Sequence, residues 1–293
     1  MKNAFSGFLV CFLLASCGND EAVRREDEKT VPPKFSFNYN LHSSLPEKWK
    51  SEFRLIMTHL EETIQVEPKD YFASLDIYAW KNTAAKPYKI QIGDASGASI
   101  SGNENERYMV LEIPDLEFKY RSMHRYSVIP HEYFHAYQMS LSRNFHEGNI
   151  ELKWLSEGGA ATIESLYIQQ YYSFNYFGEA QNKVNISAVE NPIIFEKYDD
   201  SYNQDPNYSS SVFMALALSK ELQKLNISEE NSFKMIFKDF WLKNPNEGNW
   251  KVKFKETFTI SIENFYNILS TYPNDITSVL PSEDILLENI FSK

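Results

Sequence analysis

Cysteine is nearly absent from this chain: its 293 residues hold two, Cys11 and Cys17. Both lie within the first 17 positions, so the remainder has no thiol from which to build a disulfide, and its stability must come from a packed core. Long apolar runs are also missing. The run at 8–14 (FLVCFLL) is too short to cross a membrane, which takes about 20 apolar residues, and no later stretch is long enough. Positive charge is in deficit. Against 40 acidic residues stand 29 Lys and Arg, for a formal net charge of −11. Such a surface repels nucleic acid and anionic lipid head groups, which excludes nucleic acid as an expected partner. No internal repeat is evident.

What is present at the N-terminus reads as an export signal. Lys2 provides a positive start, the apolar run follows, and the run ends on Leu14-Ala15-Ser16-Cys17. That tetrad resembles the bacterial lipobox, in which the cysteine is lipidated and the chain is cut just before it. The expectation is therefore a signal peptide over 1–16 and a lipidated tether over 17–34 with Cys17 as the lipidated residue. The charged tether sequence (GNDEAVRREDEKTVPPK) carries almost no apolar residues, as a disordered linker would. Loss of Lys2 makes the mature chain one unit more negative, so lipid rather than a basic patch would hold it at a membrane. A lipid anchor made of several acyl chains is firm where a single one is marginal.

The domain, 35–293, is expected to open with a helix. Pro46 suits a first helical position, and Trp49, Phe53, Ile56, Met57, Leu60 and Ile64 recur at helical spacing. Residues 71–80 alternate as a half-buried strand does, with Ala73, Leu75, Ile77 and Ala79 on one face. The segment 88–92 reads as a short strand, 93–105 as a Gly/Ser/Asn-rich loop, and 108–113 as a third strand. From about Ser122 the chain reads as mainly helical. The division drawn from this is an upper lobe over 35–140 and a helical lobe over 141–293.

Residues 131–135 spell His-Glu-Tyr-Phe-His. Four residues along an α-helix bring His131 and His135 to one face, one turn apart. Two neutral imidazoles so placed can bind one Zn²⁺ at about 2.0–2.1 Å. Glu132 then points beside the metal, where it can take a proton from water. Pro130 is unusual inside a helix and suggests a start or a kink close to it. Taken alone, the pattern also fits a surface helix carrying two solvated histidines. A second segment, Trp-Leu-Ser-Glu-Gly-Gly-Ala over 154–160, supplies a third ligand candidate in Glu157. The 22 residues between His135 and Glu157 allow a helix to end, a loop to turn and a second helix to return. Gly158 and Gly159 are expected to let that helix approach the first closely, with Trp154 and Leu155 buried behind. Glu164, two turns on, is a rival ligand or a partner to a ligand histidine.

HEYFHAYQ followed by WLSEGGAA resembles the gluzincin metallopeptidases, in particular the peptidase MA-like group. A C-terminal stretch (WKVKFKETFTISIENFY), with Trp250, Phe254, Phe258, Ile260, Phe265 and Tyr266, is similar to a segment of the same group. Thr259 stands where that group usually has glycine, so its turn is expected to differ. The resemblance implies an α+β, zincin-like fold with a small N-terminal mixed sheet, a helix carrying the HExxH motif and a mainly helical C-terminal lobe. It implies His131, His135 and Glu157 as zinc ligands, Glu132 as general base, and a peptide or protein substrate. Related enzymes stabilise the oxyanion with a tyrosine or histidine from the C-terminal lobe; Tyr208 is the candidate and Tyr202 the reserve. His146 sits between the ligand segments and is expected to be solvated, His124 to be structural, and His42 and His59 to have no role. The strand at 108–113 is the expected sheet edge for substrate. With the lipobox, the expected setting is the bacterial cell envelope, as a monomer held by its lipid. The alternatives are a zinc-binding surface lipoprotein without turnover and a zinc hydrolase of non-peptide or cell-wall substrates.

Overall fold

The computed structural model describes residues 34–199 and 204–292. The calls on 1–33, including the signal, the tether and Cys17, and the reserve residue Tyr202 lie outside the described residues. Residues from Lys34 onward form one unit, of mixed α and β structure.

The unit opens with a strand, β1 (Ser36–Leu41), rather than with the expected helix. Its side chains are mostly exposed or half-buried, so it lacks the apolar alternation by which a strand is recognised. Helix α1 (Glu47–Thr63) follows, with Trp49, Phe53, Ile56, Met57 and Leu60 buried along one stripe, as their spacing predicts. Strand β2 (Ser74–Lys81) comes next, then a short helix α2 (Lys89–Ile92), and the strands β3 (Ala98–Asn103) and β4 (Glu106–Ile113). The sheet order is β1-β2-β4-β3, with β1, β2 and β4 parallel and β3 antiparallel to β4.

Three expectations are corrected here. Residues 88–92 are helical, because Tyr88 and Ile92, four apart, cover Tyr78 and Trp80 on the outer face of the sheet. The stretch read as a loop over 93–105 contains β3, whose small polar side chains carry no strand signal but whose backbone pairs fully with β4. In consequence β4 is an inner strand and β3 is the edge.

The inner face of the sheet, with Leu75, Ile77, Ala79, Met109, Leu111 and Ile113, joins the main core. Past the short helix α3 (Asp115–Tyr120) lies α4 (His124–Leu141), which carries the His-Glu-Tyr-Phe-His motif. Helix α4 packs against α1 and β3, and every residue from Tyr126 to Ser140 is buried. A helix enclosed on all sides needs no amphipathic stripe, and this one has little. Pro130 lies six residues inside it, so the helix starts well before the proline. The missing N–H costs about 3 kcal/mol in an isolated helix, which the packing around α4 offsets.

The short α5 (Arg143–His146) leads to α6 (Lys153–Tyr172), which packs against α4. The short helices α7 (Tyr176–Ala180) and α8 (Ser187–Glu190) precede α9 (Gln204–Lys224), which lies along the other side of α6. The remainder is helical: α10 (Glu229–Lys234), a π-helical turn (Met235–Asp239), α11 (Phe240–Leu242), α12 (Trp250–Phe258), α13 (Ile262–Leu269) and α14 (Leu287–Phe291). Thr259 caps α12 at φ +61°, the left-handed conformation that favours glycine. Threonine thus adopts here a conformation in which glycine would be unstrained.

Candidate metal centre

Helix α4 directs His131 and His135 from one face, one turn apart, with their ring centroids 5.0 Å from each other. Helix α6 delivers Glu157 to the same point. Its Oε2 lies 3.3 Å from His131 Nε2 and 3.2 Å from His135 Nε2. One ligand atom from each of the three residues falls within 4.8 Å of the others, so the group could hold a metal ion.

The two glycines after Glu157 divide the packing of α6 between its neighbours. A Cβ at Gly158 would sit 2.3 Å from the Ser211 carbonyl oxygen on α9. A Cβ at Gly159 would sit 3.2 Å from the ring of Phe134 on α4. Only Gly159 thus serves the approach expected of both; Gly158 admits α9 instead. Behind Glu157, Trp154 is fully buried against Phe254, Phe265 and Tyr266, and its Nε1–H donates to the Tyr266 hydroxyl at 3.0 Å. The aromatic C-terminal segment therefore acts at a distance from the metal group, as the wall on which the Glu157 helix rests.

Each histidine is held from its far nitrogen. Glu164 Oε2 accepts from His131 Nδ1–H at 3.1 Å, and Gln138 Oε1 accepts from His135 Nδ1–H at 2.8 Å. These bonds hold a proton on each Nδ1 and turn both Nε2 atoms toward Glu157. Glu164 is thus a partner of His131, on the opposite side of the ring from Glu157. Gln138 was missed in the sequence, although its position three residues after His135 on one helix was a usable signal.

The electrostatics fit a cation. Burial disfavours charge on His131, His135 and Glu157, but their mutual contacts outweigh it. His131 is raised well above the ordinary imidazole value, His135 is raised, and Glu157 is held well below the carboxylate range. Protons on the imidazoles thus occupy the place of the positive charge that a metal brings. Glu132 is buried, and its Oε2 has no hydrogen-bond partner. Burial raises its carboxyl above the usual range. A buried, unpartnered carboxylate oxygen beside two imidazoles is costly unless something else meets it there. The donor set of two imidazoles and one carboxylate suits zinc and leaves room for a further ligand.

Comparison with protein-family models, curated proteins and solved structures finds no significant match. The site is read from its own chemistry.

Two cavities flank the metal group, and both are lined by Ala98, His131, Glu132 and Tyr208. The larger, about 460 Å³, continues past Ser99 and Ile100 of β3 to Arg107, Phe145 and Ile150. The smaller, about 290 Å³, runs toward Val128, Glu164 and Gln181. The sheet edge at the cleft is thus β3, in place of the strand expected at 108–113. Tyr208, on the first turns of α9, stands edge-on to His131 with ring centroids 5.7 Å apart.

The other histidines are not part of the metal group. His146 is fully buried against the rings of Tyr71 and Phe72, contrary to the solvated loop histidine expected. Its backbone carbonyl accepts from Arg107, and burial lowers its imidazole. His124 bonds Glu117 at 2.8 Å, His59 bonds the Tyr167 hydroxyl at 3.2 Å, and His42 bonds Ser44 at 2.9 Å.

Proposed function

We propose that the protein is a zinc-dependent peptidase of zincin-like fold, with His131, His135 and Glu157 as zinc ligands and Glu132 as general base. The observation that carries the reading is the buried, unpartnered Glu132 Oε2 beside three convergent ligand atoms. A site that only stored or sensed a metal would have no use for that oxygen.

Bound zinc would supply Lewis acidity, making water nucleophilic near neutral pH and polarising the scissile carbonyl. The chain's own groups do the rest. Glu132 accepts a proton at Oε2 and returns it to the leaving amine. Glu164 and Gln138 keep His131 and His135 in the required orientation. Tyr208, edge-on to His131, is the candidate donor to the carbonyl oxygen as negative charge develops there. The exposed edge of β3 offers main-chain groups with which an extended peptide can pair.

The lipobox-like tetrad supports a lipid-anchored protein of the bacterial cell envelope, joined to the membrane through Cys17. Among the described residues no helix is long and apolar enough to cross a membrane. The activity is tested by digesting a mixed peptide library with the purified protein, with a chelator present and after zinc is restored. Cleavage that stops with the chelator and returns with zinc is the expected result. A protein that binds zinc and cuts no peptide contradicts the reading.

A further inference from the structure

The two cavities that flank the metal group differ in charge. The larger is lined by two cations, Arg107 and Lys153, which offset the carboxylates of Glu132, Glu151 and Glu157. Among the described residues no lysine or arginine lines the smaller, whereas Glu112, Glu132, Glu164 and Asp205 do, with His124 and His131. Behind His124 stands a further carboxylate, Glu117, which bonds its Nδ1 and has one buried oxygen without a partner.

The smaller cavity is not uniformly polar. Ile113, Val128, Ala161 and Tyr176 supply apolar wall. Its buried part holds Glu164 and Gln181, joined by a bond from Gln181 Nε2 to Glu164 Oε1 at 3.2 Å. That bond fixes the Gln181 amide, because only its nitrogen can donate to a carboxylate. It leaves Gln181 Oε1 as an acceptor with no donor on a side chain only 3 % exposed. The outer part holds Asp205, whose pair with Lys183 is solvent-exposed and therefore weak, whereas the Glu112 carboxylate at the rim is engaged by Trp80 Nε1 and the Gly97 N–H.

Apolar walls ending in acceptors match a particular kind of group: a methylene stem carrying donors and positive charge at its tip. We propose that the cavity lined by Val128, Glu164, Gln181 and Asp205 is a specificity subsite for a lysine or arginine side chain adjoining the scissile bond. The inference rests on the peptidase reading for the words "scissile bond", but its recognition chemistry can be measured without turnover. The cavity also shares Ala98 with the cleft edge, so a peptide paired to β3 passes its mouth.

The experiment uses the zinc-loaded full chain carrying Glu132→Gln, which keeps the cleft while removing the base. Oligo-alanine hexapeptides with a single lysine at the third or fourth position are titrated calorimetrically against the same peptides with norleucine there. Lysine is expected to bind at least about tenfold more tightly in one of the two positions, as a charge pair partly removed from water allows. Adding Gln181→Met or Asp205→Lys should each cut that ratio severalfold, while the norleucine peptide reports that the cleft is still folded. Norleucine binding as tightly as lysine, or a ratio unmoved by both substitutions, overturns the subsite; so does a failure of the lysine peptide to bind in both positions. Lysine-selective binding together with a wild-type protein that cuts no peptide leaves the subsite standing and removes the peptidase reading instead.

Discussion

Substituting alanine for each of the paired glycines, Gly158 and Gly159, separates two neighbours that the sequence treats alike. At Gly158 the new methyl would lie 2.3 Å from the oxygen and 2.6 Å from the carbon of the Ser211 carbonyl, both backbone atoms of α9. Backbone inside a helix cannot step aside, so α6 and α9 must separate. Overpacking of this kind costs about 1–3 kcal/mol, and contact with backbone places it at the upper end. Alanine gives back about 0.5–1 kcal/mol because it holds a helix better than glycine. The net loss is about 2 kcal/mol, which for a domain of this size lowers Tm by about 4–8 °C. At Gly159 the nearest atom is Cε1 of Phe134 at 3.2 Å, on a side chain that can tilt. There the two effects nearly cancel, and Tm should move by no more than about 3 °C. Separation of α6 from α9 also displaces Glu157, so Gly158→Ala should weaken zinc binding. Thermal unfolding followed by circular dichroism, with and without zinc, reads both effects. A Gly159→Ala protein that is the less stable of the two, or a Gly158→Ala protein that melts like wild type, would refute the packing argument.

Three further outcomes follow from the site. Glu157→Ala should lose most bound zinc by elemental analysis, while Glu164→Ala should keep it with affinity lowered by about 10–100-fold, as loss of a ligand's partner does; the reverse pattern would make Glu164 the ligand. In the metal-free protein, the stabilisation from raised His131 and His135 is fully present below their ordinary 6.5 and is lost as pH rises through their raised values. The raised Glu132 acts in the same direction from its ordinary 4.5 upward, and the lowered Glu157 acts oppositely, losing its contribution only as pH falls below 4.5. Metal-free Tm should therefore fall between pH 6 and pH 9, and the gain from added zinc should grow over the same span because fewer protons must leave; a gain that shrinks with rising pH contradicts the assignment. Cys17→Ala should abolish labelling by a fatty-acid analogue and release the protein from membranes, and unchanged labelling would remove the anchor.

The parts of this molecule that were legible in the sequence are those where one rule dominates. The α1 stripe was legible because that helix covers the core on one side only. The metal group was legible because helical spacing alone puts His131 and His135 on one face. Strands β1 and β3 were not, since they lie at the two edges of the sheet and carry polar or small side chains whose pairing depends on distant partners. The extent of α4 was hidden by Pro130, whose local preference is overruled by burial along the whole helix. Gln138 escaped notice because its value lies in the bond to His135 and not in a motif. The division of labour between Gly158 and Gly159 needed the position of α9, a helix some 50 residues downstream.

The central claim, that Glu132 serves as a base and not as a ligand or a structural residue, is tested most directly by Glu132→Gln. The change keeps the size of the side chain and removes its capacity to accept a proton. One zinc per chain and an unchanged melting temperature are expected, because His131, His135 and Glu157 are untouched. Peptide turnover should fall by about 10²–10⁴-fold, the loss typical of a missing general base. A Glu132→Gln protein that retains its zinc and cleaves peptides at the wild-type rate would contradict the account.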